Sequence, residues 1–451
     1  MANKIALFFA ALLLGMFVAS PSFAQSEPLP APTSTVHVAP LPAVAKPLPP
    51  FDADKATNAY LAQVNGEARA KSDAYFEGGY WLILIDALWA IAISALLLWT
   101  RVSAAIRNFS VTCTRSRFWQ VPIYVAIYFV AITVLSFPLT IYEDFIREHA
   151  YGLSNQNFMQ WFGDFAKGAL VGIVGFVIVA TIVYAFIRRA PRYWWAWATV
   201  VAVIFFMIAA MIAPVFIAPI FNTYTPLNES PLKDRILSIA RSEGIPATNV
   251  YEFDASRQTK RISANVSGFL GTTRISLNDN LMKRSKNQDE IIAVLGHEMG
   301  HYVLDHAVRL ITFEGLVFFI GFGFIAWGFG GLTNIFGGNW DVRTVDDPAG
   351  LPVLSALMTV FFLVATPVEN TISRTTEAQA DIFGVNAVRL PDAFAQATLQ
   401  LSEYRKLDPS PLEEFVFYDH PSGRSRITMM MRWKAEHLTD SDIKNGPVSP
   451  Q

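Results

Sequence analysis

Long apolar stretches alternate with shorter polar segments along most of this chain. Six of these stretches are close to the ~20 residues that a helix needs to cross the hydrocarbon core of a bilayer. They lie at residues 80–99, 121–142, 168–187, 194–213, 310–328 and 351–367. The pattern predicts a mainly α, polytopic membrane protein with six transmembrane helices in its mature form.

The N-terminal 24 residues have the features of an export signal. Lys4 precedes an apolar run at 5–19, and Ser22 and Ala24 place small residues before a cleavage site at Gln25. We predict a signal peptide at 1–24, with an uncleaved N-terminal anchor, a seventh span, as the alternative. Because residues 25–50 contain eight prolines, the segment 25–79 is predicted to be a Pro-rich linker and a membrane-proximal stretch.

Composition supports the membrane assignment and excludes two kinds of chemistry. Only 16% of the residues are charged while 53% are hydrophobic, against ~25% charged in an average soluble protein. The net charge of −2 gives no basic excess, so we predict no nucleic-acid function. Cys113 is the single cysteine, and any metal must therefore be held by His and carboxylate side chains.

The distribution of arginines predicts the orientation in the membrane. The loops after the first and third spans are rich in arginine and lack acids; they carry Arg101, Arg107, Arg115, Arg117, Arg188, Arg189 and Arg192. By the positive-inside rule both loops are cytoplasmic. Only the loop after the fifth span conflicts with this orientation, since it should be cytoplasmic yet contains Asp341, Asp346 and Asp347.

This topology divides the polar part of the chain into two pieces on one side of the membrane. Four spans at 80–221 precede a polar segment at 222–309, and spans five and six at 310–367 precede a second polar segment at 368–437, followed by a flexible tail at 438–451. Two spans return the chain to the side from which it came. Both polar pieces can therefore build one site, which the arginines predict to face the periplasm of a bacterial inner membrane.

The first polar segment contains a metal-binding motif. His297, Glu298 and His301 form a His-Glu-x-x-His sequence within an apolar helical pattern at 289–304. Two histidines four residues apart on a helix can direct both imidazoles at one Zn²⁺, with the glutamate beside the metal as general base.

The third metal ligand is predicted to come from the second polar segment. His306 is one position short of the metzincin pattern, which needs a His and a Gly where this chain has Ala307 and Leu304. Glu377 and Asp381 lie four residues apart on one face of a predicted helix after the sixth span. We predict Glu377 as the third ligand and Asp381 as the group that orients a metal-bound imidazole.

Several blocks together resemble the membrane-integral zinc endopeptidases of the CAAX prenyl protease kind. The resemblance runs from about residue 121 to 427. Its blocks are Val-Leu-Gly-His-Glu-Met-Gly-His at 294–301, the segment 373–381, His-Pro at 420–421 ahead of Arg-Ile at 426–427, residues 213–227, and residues 263–269. The resemblance implies a ring of transmembrane helices joined to a split, zincin-like helical protease domain with a small β element.

The resemblance also implies roles for individual residues. His297, His301 and Glu377 would bind one Zn²⁺, and Glu298 would activate water. Asn265 would hold the substrate backbone, while His420 and Arg426 would stabilise the tetrahedral intermediate, a role that any peptidase needs to fill.

The expected function is hydrolysis of peptide bonds in membrane-associated or exported polypeptides. The eukaryotic members keep the active site on the cytosolic side, whereas the arginines here predict the opposite side, which disfavours prenylated C-termini as substrates. A polytopic transporter and a catalytically degenerate chaperone or receptor are the alternatives. The predicted partners are the polypeptide substrate and the lipid bilayer, and the sequence identifies no partner protein.

Overall fold

The computed structural model describes residues 51–267, 273–440 and residue 443, so the predicted signal peptide and most of the predicted tail lie outside the described residues. The α-helices of six or more residues are, in chain order, α1 (Ala53–Leu61), α2 (Gly66–Trp99), α3 (Val102–Cys113), α4 (Arg117–Thr140), α5 (Phe158–Arg189), α6 (Trp194–Ile212), α7 (Pro231–Ser242), α8 (Asp279–Arg284), α9 (Gln288–Val303), α10 (His306–Trp340), α11 (Leu351–Val388), α12 (Pro391–Gln400), α13 (Pro411–Phe417) and α14 (Gly423–Glu436). The strands are β1 (Tyr224–Pro226), β2 (Val250–Phe253), β3 (Ala264–Ser267) and β4 (Arg274–Asn278).

Six of these helices are long and apolar enough to cross a membrane, which confirms the six predicted spans. They are α2, α4, α5, α6, α10 and α11. The main contacts between neighbours run from α2 to α4, α5, α6, α10, α11 and back to α2, so the spans form a closed ring, as the resemblance implied.

The helices extend beyond the apolar runs that predicted them. α2 begins at Gly66 rather than at residue 80, and α11 continues to Val388 although its apolar run ends at 367. Hydrophobicity marks the part of a helix that contacts lipid or core, whereas the hydrogen-bonded backbone continues for as long as the residues favour it. The extension of α11 carries Glu377 and Asp381 out of the apolar run on a rigid helix.

The acidic loop between α10 and α11 is tied to the arginine-rich loop between α2 and α4. Arg107 Nη2 donates to Asp341 Oδ2 at 2.6 Å, and its Nη1 donates to Asp347 Oδ2 at 2.8 Å. Arg107 and Asp347 are both buried. Two of the three acids that conflicted with the positive-inside pattern therefore pair with an arginine of the neighbouring loop, and both loops lie at the same end of the ring.

The other end of the ring carries a small mixed sheet. The strand order is β1-β2-β4-β3, with β2 and β4 parallel and the outer pairs antiparallel. One face packs on α7 and α9 through a core that includes Ile236, Val250, Val266, Ile275, Leu277 and Ile292. β3 is an edge strand next to α9, which leaves its outer edge beside the helix that carries the His-Glu-x-x-His motif.

Close packing of α9 on α11 joins the two polar segments. Gly296 and Gly300 of α9 face Gly384 and Ala380 of α11; a Cβ at Gly384 would lie 2.8 Å from the backbone nitrogen of His297, and one at Gly300 would lie 3.0 Å from the carbonyl oxygen of Ala380. Small residues thus let the two backbones approach closely. This approach sets the separation between the histidines on one helix and the carboxylates on the other.

The helix before the first span also packs against helices of the second polar segment. Tyr60 and Leu61 of α1 lie in one apolar cluster with Phe394 of α12 and with α14. The Tyr60 hydroxyl and the buried Lys434 ammonium both donate to Asp392, at 2.8 and 2.6 Å. The chain therefore lies at the same end of the ring as α12 and α14 before it enters α2.

Candidate metal centre

Two histidines of α9 and a carboxylate of α11 converge on one point. One ligand atom from each of His297, His301 and Glu377 lies within 4.8 Å of the others. His297 Nε2 is 3.2 Å from Glu377 Oε2, His301 Nε2 is 3.5 Å from Glu377 Oε1, and the two Nε2 atoms are 3.1 Å apart. The helix spacing predicted from sequence and the packing of α9 on α11 together produce this arrangement.

A buried carboxylate fixes the orientation of His297. Asp381 is fully buried, and its Oδ1 lies 2.8 Å from His297 Nδ1. Arg426 donates to Asp381 through Nε at 2.8 Å and also through Nη2. With Asp381 at Nδ1, the Nε2 atom of His297 faces Glu377 and His301. The sequence analysis predicted Asp381 as the group beside a ligand imidazole.

The carboxylates of Asp381 and Glu377 favour a positive charge beside His297. Burial lowers the pKa of the His297 imidazole, but the hydrogen-bonded Asp381 carboxylate and the neighbouring Glu377 carboxylate outweigh this effect and raise the pKa to about 10. The electrostatic environment of Nε2 therefore suits a cation.

His306 supports the second histidine in a way that sequence reasoning missed. The buried His306 begins α10, and its Nδ1 lies 3.0 Å from His301 Nδ1. This contact leaves His301 Nε2 directed at His297 and Glu377. The sequence shows His306, but its spacing from His301 only excludes it as a third ligand of the metzincin type. Its contact with His301 depends on the turn between α9 and α10, where Asp305 adopts a left-handed backbone with φ of 51°. The spacing of the histidines does not predict this turn.

The residues at this point fit a divalent metal ion. Glu377 Oε2 is a buried carboxylate oxygen that accepts no hydrogen bond among the described residues, and it lies 3.4 Å from His420 Nε2 as well as close to His297. A buried carboxylate oxygen without a donor is costly unless a cation compensates it. Two imidazole nitrogens with one carboxylate are the donor set of the thermolysin-type zinc site.

Glu298 follows the first histidine and borders an open cleft. The cleft has about 790 Å³ of empty volume, including space open to solvent, and its walls include Ser263, Ala264, His297, Glu298, His420 and Arg426. Burial raises the pKa of the Glu298 carboxyl, although His297 and His301 oppose this effect. A carboxylate with a raised pKa beside the ligand cluster is suited to accept and return a proton.

Four of the eight sequence-predicted site residues line this cleft, namely His297, Glu298, His420 and Arg426. His420 lies beside Glu377 and contacts Asp419 at 2.9 Å. Arg426 borders the cleft but directs its guanidinium at Asp381. Asn265 lies on the edge strand β3, where its Oδ1 accepts a hydrogen bond from Ser267 at 3.3 Å. The neighbouring residues Ser263 and Ala264, rather than the Asn265 side chain, form the cleft wall.

The fold and the site together define a membrane-integral metallopeptidase, and comparison with known proteins gives the same class. Residues 226–434 match Peptidase family M48, and residues 53–223 match the CAAX prenyl protease N-terminal family, described as having five membrane helices. The chain therefore belongs to the CAAX prenyl protease family of M48 metallopeptidases, which are hydrolases that act on polypeptides and use a metal ion.

Individual relatives agree with this membership. The CAAX prenyl protease 1 of Saccharomyces cerevisiae is 30% identical over 66% of this chain and 69% of its own length. The Bacillus subtilis protein described as an uncharacterized metalloprotease, YhfN, is 29% identical over 73% of this chain and 78% of its own length. The crystal structure of S. mikatae Ste24p superposes with a TM-score of 0.69 at 22% identity, covering 84% of this chain and 95% of that chain, and it supports the same fold.

Proposed function

We propose that this protein is a zinc endopeptidase that cleaves membrane-associated or exported polypeptides. The observation that carries the proposal is the convergence of His297, His301 and Glu377 within 4.8 Å beside the open cleft that Glu298 borders. One Zn²⁺ per chain is the cofactor that this donor set suits, since two imidazoles and one carboxylate leave a coordination position for substrate chemistry.

The proposed reaction uses Glu298 to move a proton. Zinc, when bound by His297, His301 and Glu377, supplies a Lewis acid that makes water acidic near neutral pH. The Glu298 carboxylate accepts the proton of the attacking water and then donates it to the leaving amine, so that no covalent enzyme intermediate forms. Its raised pKa suits both halves of this transfer.

His420 would act on the substrate carbonyl, and Arg426 would help to orient a metal-binding histidine. His420 borders the cleft with Nε2 close to the ligand cluster, so we assign it as the donor to the developing oxyanion. Arg426 also borders the cleft, but its hydrogen bonds to Asp381 support a second contribution, in which it holds the carboxylate that orients His297.

The substrate backbone would lie along β3. This strand pairs only with β4 among the described strands, so its outer edge can receive an extended peptide. Asn265 lies on that strand and Ser263 and Ala264 border the cleft. We therefore assign Asn265 to substrate-backbone binding, reached by a rotation of its side chain away from Ser267.

The proposed location is a bacterial inner membrane with the cleft on the periplasmic side. The arginine-rich loops support this orientation, and the pairing of Arg107 with Asp341 and Asp347 places the acidic loop at the same end of the ring as those arginines. The protease part lies at the other end. Exported polypeptides are the substrates that reach that side.

Removal of the proton carrier tests the proposal. Purified Glu298→Ala protein should retain about one zinc per chain, as measured by metal analysis, and should lose peptide cleavage by a factor of at least ~10². The exposed Arg241→Gln variant on α7 is the matched control and should cleave normally. Chelation should abolish wild-type cleavage and added zinc should restore it. Retained turnover in Glu298→Ala protein would refute the proposal.

A further inference from the structure

The cleft contains one arginine that the proposed mechanism does not use. Arg405 borders it together with Ser263, Glu298 and His420. Its backbone is held firmly, because Ser72 of α2 donates to the Arg405 carbonyl at 3.0 Å, Tyr418 donates to the next carbonyl at 2.9 Å, and the amide nitrogen of Arg424 donates to the Leu407 carbonyl at 2.8 Å. The side chain is thus presented to the cleft from a fixed segment.

The Arg405 guanidinium makes no hydrogen bond and no contact ion pair with any residue in the described part of the chain. The other basic side chains that border the cleft do have partners, since Arg426 is paired with Asp381, and His420 lies beside Asp419 and Glu377. The acids next to Arg405 are also engaged, with Glu403 paired to Arg284. Asp419 interacts with Arg405 electrostatically but contacts His420 instead.

We propose that Arg405 is a specificity residue that binds a carboxylate of the peptide substrate. A guanidinium in a partly enclosed cleft offers two parallel N–H donors that match a carboxylate, and this geometry suits recognition better than a solvated ammonium would. The carboxylate is either the C-terminal carboxylate of the substrate or an Asp or Glu side chain near the scissile bond. This inference rests on the proposed peptidase function.

Binding measurements in an inactive background separate this inference from the peptidase assignment. Two pairs of fluorescent peptides are prepared. The first pair has a mixed internal sequence and ends either in a free carboxylate or in an amide. Both peptides of the second pair end in an amide, and one is rich in Asp and Glu while the other is rich in Asn and Gln. Their affinities for Glu298→Gln protein are measured by fluorescence anisotropy. The carboxylate-bearing form should bind about ten- to a hundredfold more tightly than its neutral match.

The preference should depend on Arg405. Arg405→Gln in the same background should bring the affinity ratio close to one, Arg405→Lys should keep part of it, and Arg241→Gln should leave it unchanged. Preference for the free C-terminus identifies one source of the carboxylate, and preference for acidic side chains identifies the other. A ratio that survives Arg405→Gln, or no preference in the starting protein, overturns the inference.

The two proposals can fail separately. If the wild-type protein cleaves no peptide but the inactive background binds carboxylate peptides through Arg405, the peptidase assignment fails and the carboxylate site stands. If the wild-type protein cleaves carboxylate and neutral peptides with equal kcat/KM, the carboxylate site fails and the peptidase stands.

Discussion

Asp381 connects α9, which carries the two histidines, to α14, the last helix in the described part of the chain. One carboxylate contacts the imidazole of His297 on α9 and the guanidinium of Arg426 on α14, and it is itself part of α11. A fully buried charge is tolerated when it is paired and hydrogen-bonded in this way. The orientation of one proposed ligand therefore depends on three segments that are far apart in sequence.

Asp381→Asn should weaken metal binding without removing any proposed ligand. The amide keeps the size of the side chain and one acceptor oxygen but removes the charge, so the hydrogen bond that orients His297 weakens and Arg426 is left buried without its counterion. We expect zinc affinity to fall by about ten- to a hundredfold, measured by competition with a chromophoric chelator. Asp440→Asn, which alters an exposed pair with Arg389, is the control. Unchanged affinity in Asp381→Asn would contradict the orienting role.

The part of this site that depends on short-range helical spacing could be predicted from sequence. His297, Glu298 and His301 follow helical spacing, as do Glu377 and Asp381, so each group shares a face whatever the rest of the fold does. The ion pair of Asp381 with Arg426 spans 45 residues, and periodicity carries no information on such a contact. Arg426 was therefore predicted as a site residue from the resemblance to CAAX prenyl proteases and not from its spacing in the sequence.

At the scale of elements, the backbones of α9 and α11 approach each other closely beside the site. Gly296 and Gly300 on one side and Gly384 and Ala380 on the other let α9 and α11 approach with little side-chain volume between them. In the sequence these glycines look like ordinary helix-weakening residues. Their use becomes visible only when the partner helix is known, which is why the separation of histidines and carboxylates could not be predicted.

Gly384→Ala should push α9 away from α11. The added Cβ would lie 2.8 Å from His297 N and 2.9 Å from Gly296 C, and backbone atoms cannot rotate away as a side chain can. We expect a loss of about 1–3 kcal/mol of stability and reduced zinc content, measured by thermal unfolding and metal analysis. Gly338→Ala is the matched control, because its Cβ would meet nothing within 4 Å. Equal Tm and zinc content in both variants would exclude the close packing as a determinant of the site.

At the scale of the whole molecule, the two ends of the ring of helices carry different structural features. One end holds the metal centre and the helix α1, and the other end is closed by the pairing of Arg107 with Asp341 and Asp347. The number of spans follows from hydrophobicity alone and is confirmed. Sequence could not explain the acidic loop, because the positive-inside rule counts the Lys and Arg of each loop and contains no information on the pairing of Asp341 and Asp347 with an arginine of a neighbouring loop.

The orientation of the molecule can be tested with its own cysteine. Cys113 is exposed at the end of α3, in the arginine-rich loop, whereas the exposed Ser242 ends α7 at the protease end. In spheroplasts of an expressing bacterium, a membrane-impermeant maleimide should label Ser242→Cys in a Cys113→Ser background at once. The native Cys113 should label only after permeabilisation, because the positive-inside rule predicts that its arginine-rich loop is cytoplasmic. The reverse pattern would move the metal centre to the cytosolic side, and cytosolic polypeptides would then be the substrates to test.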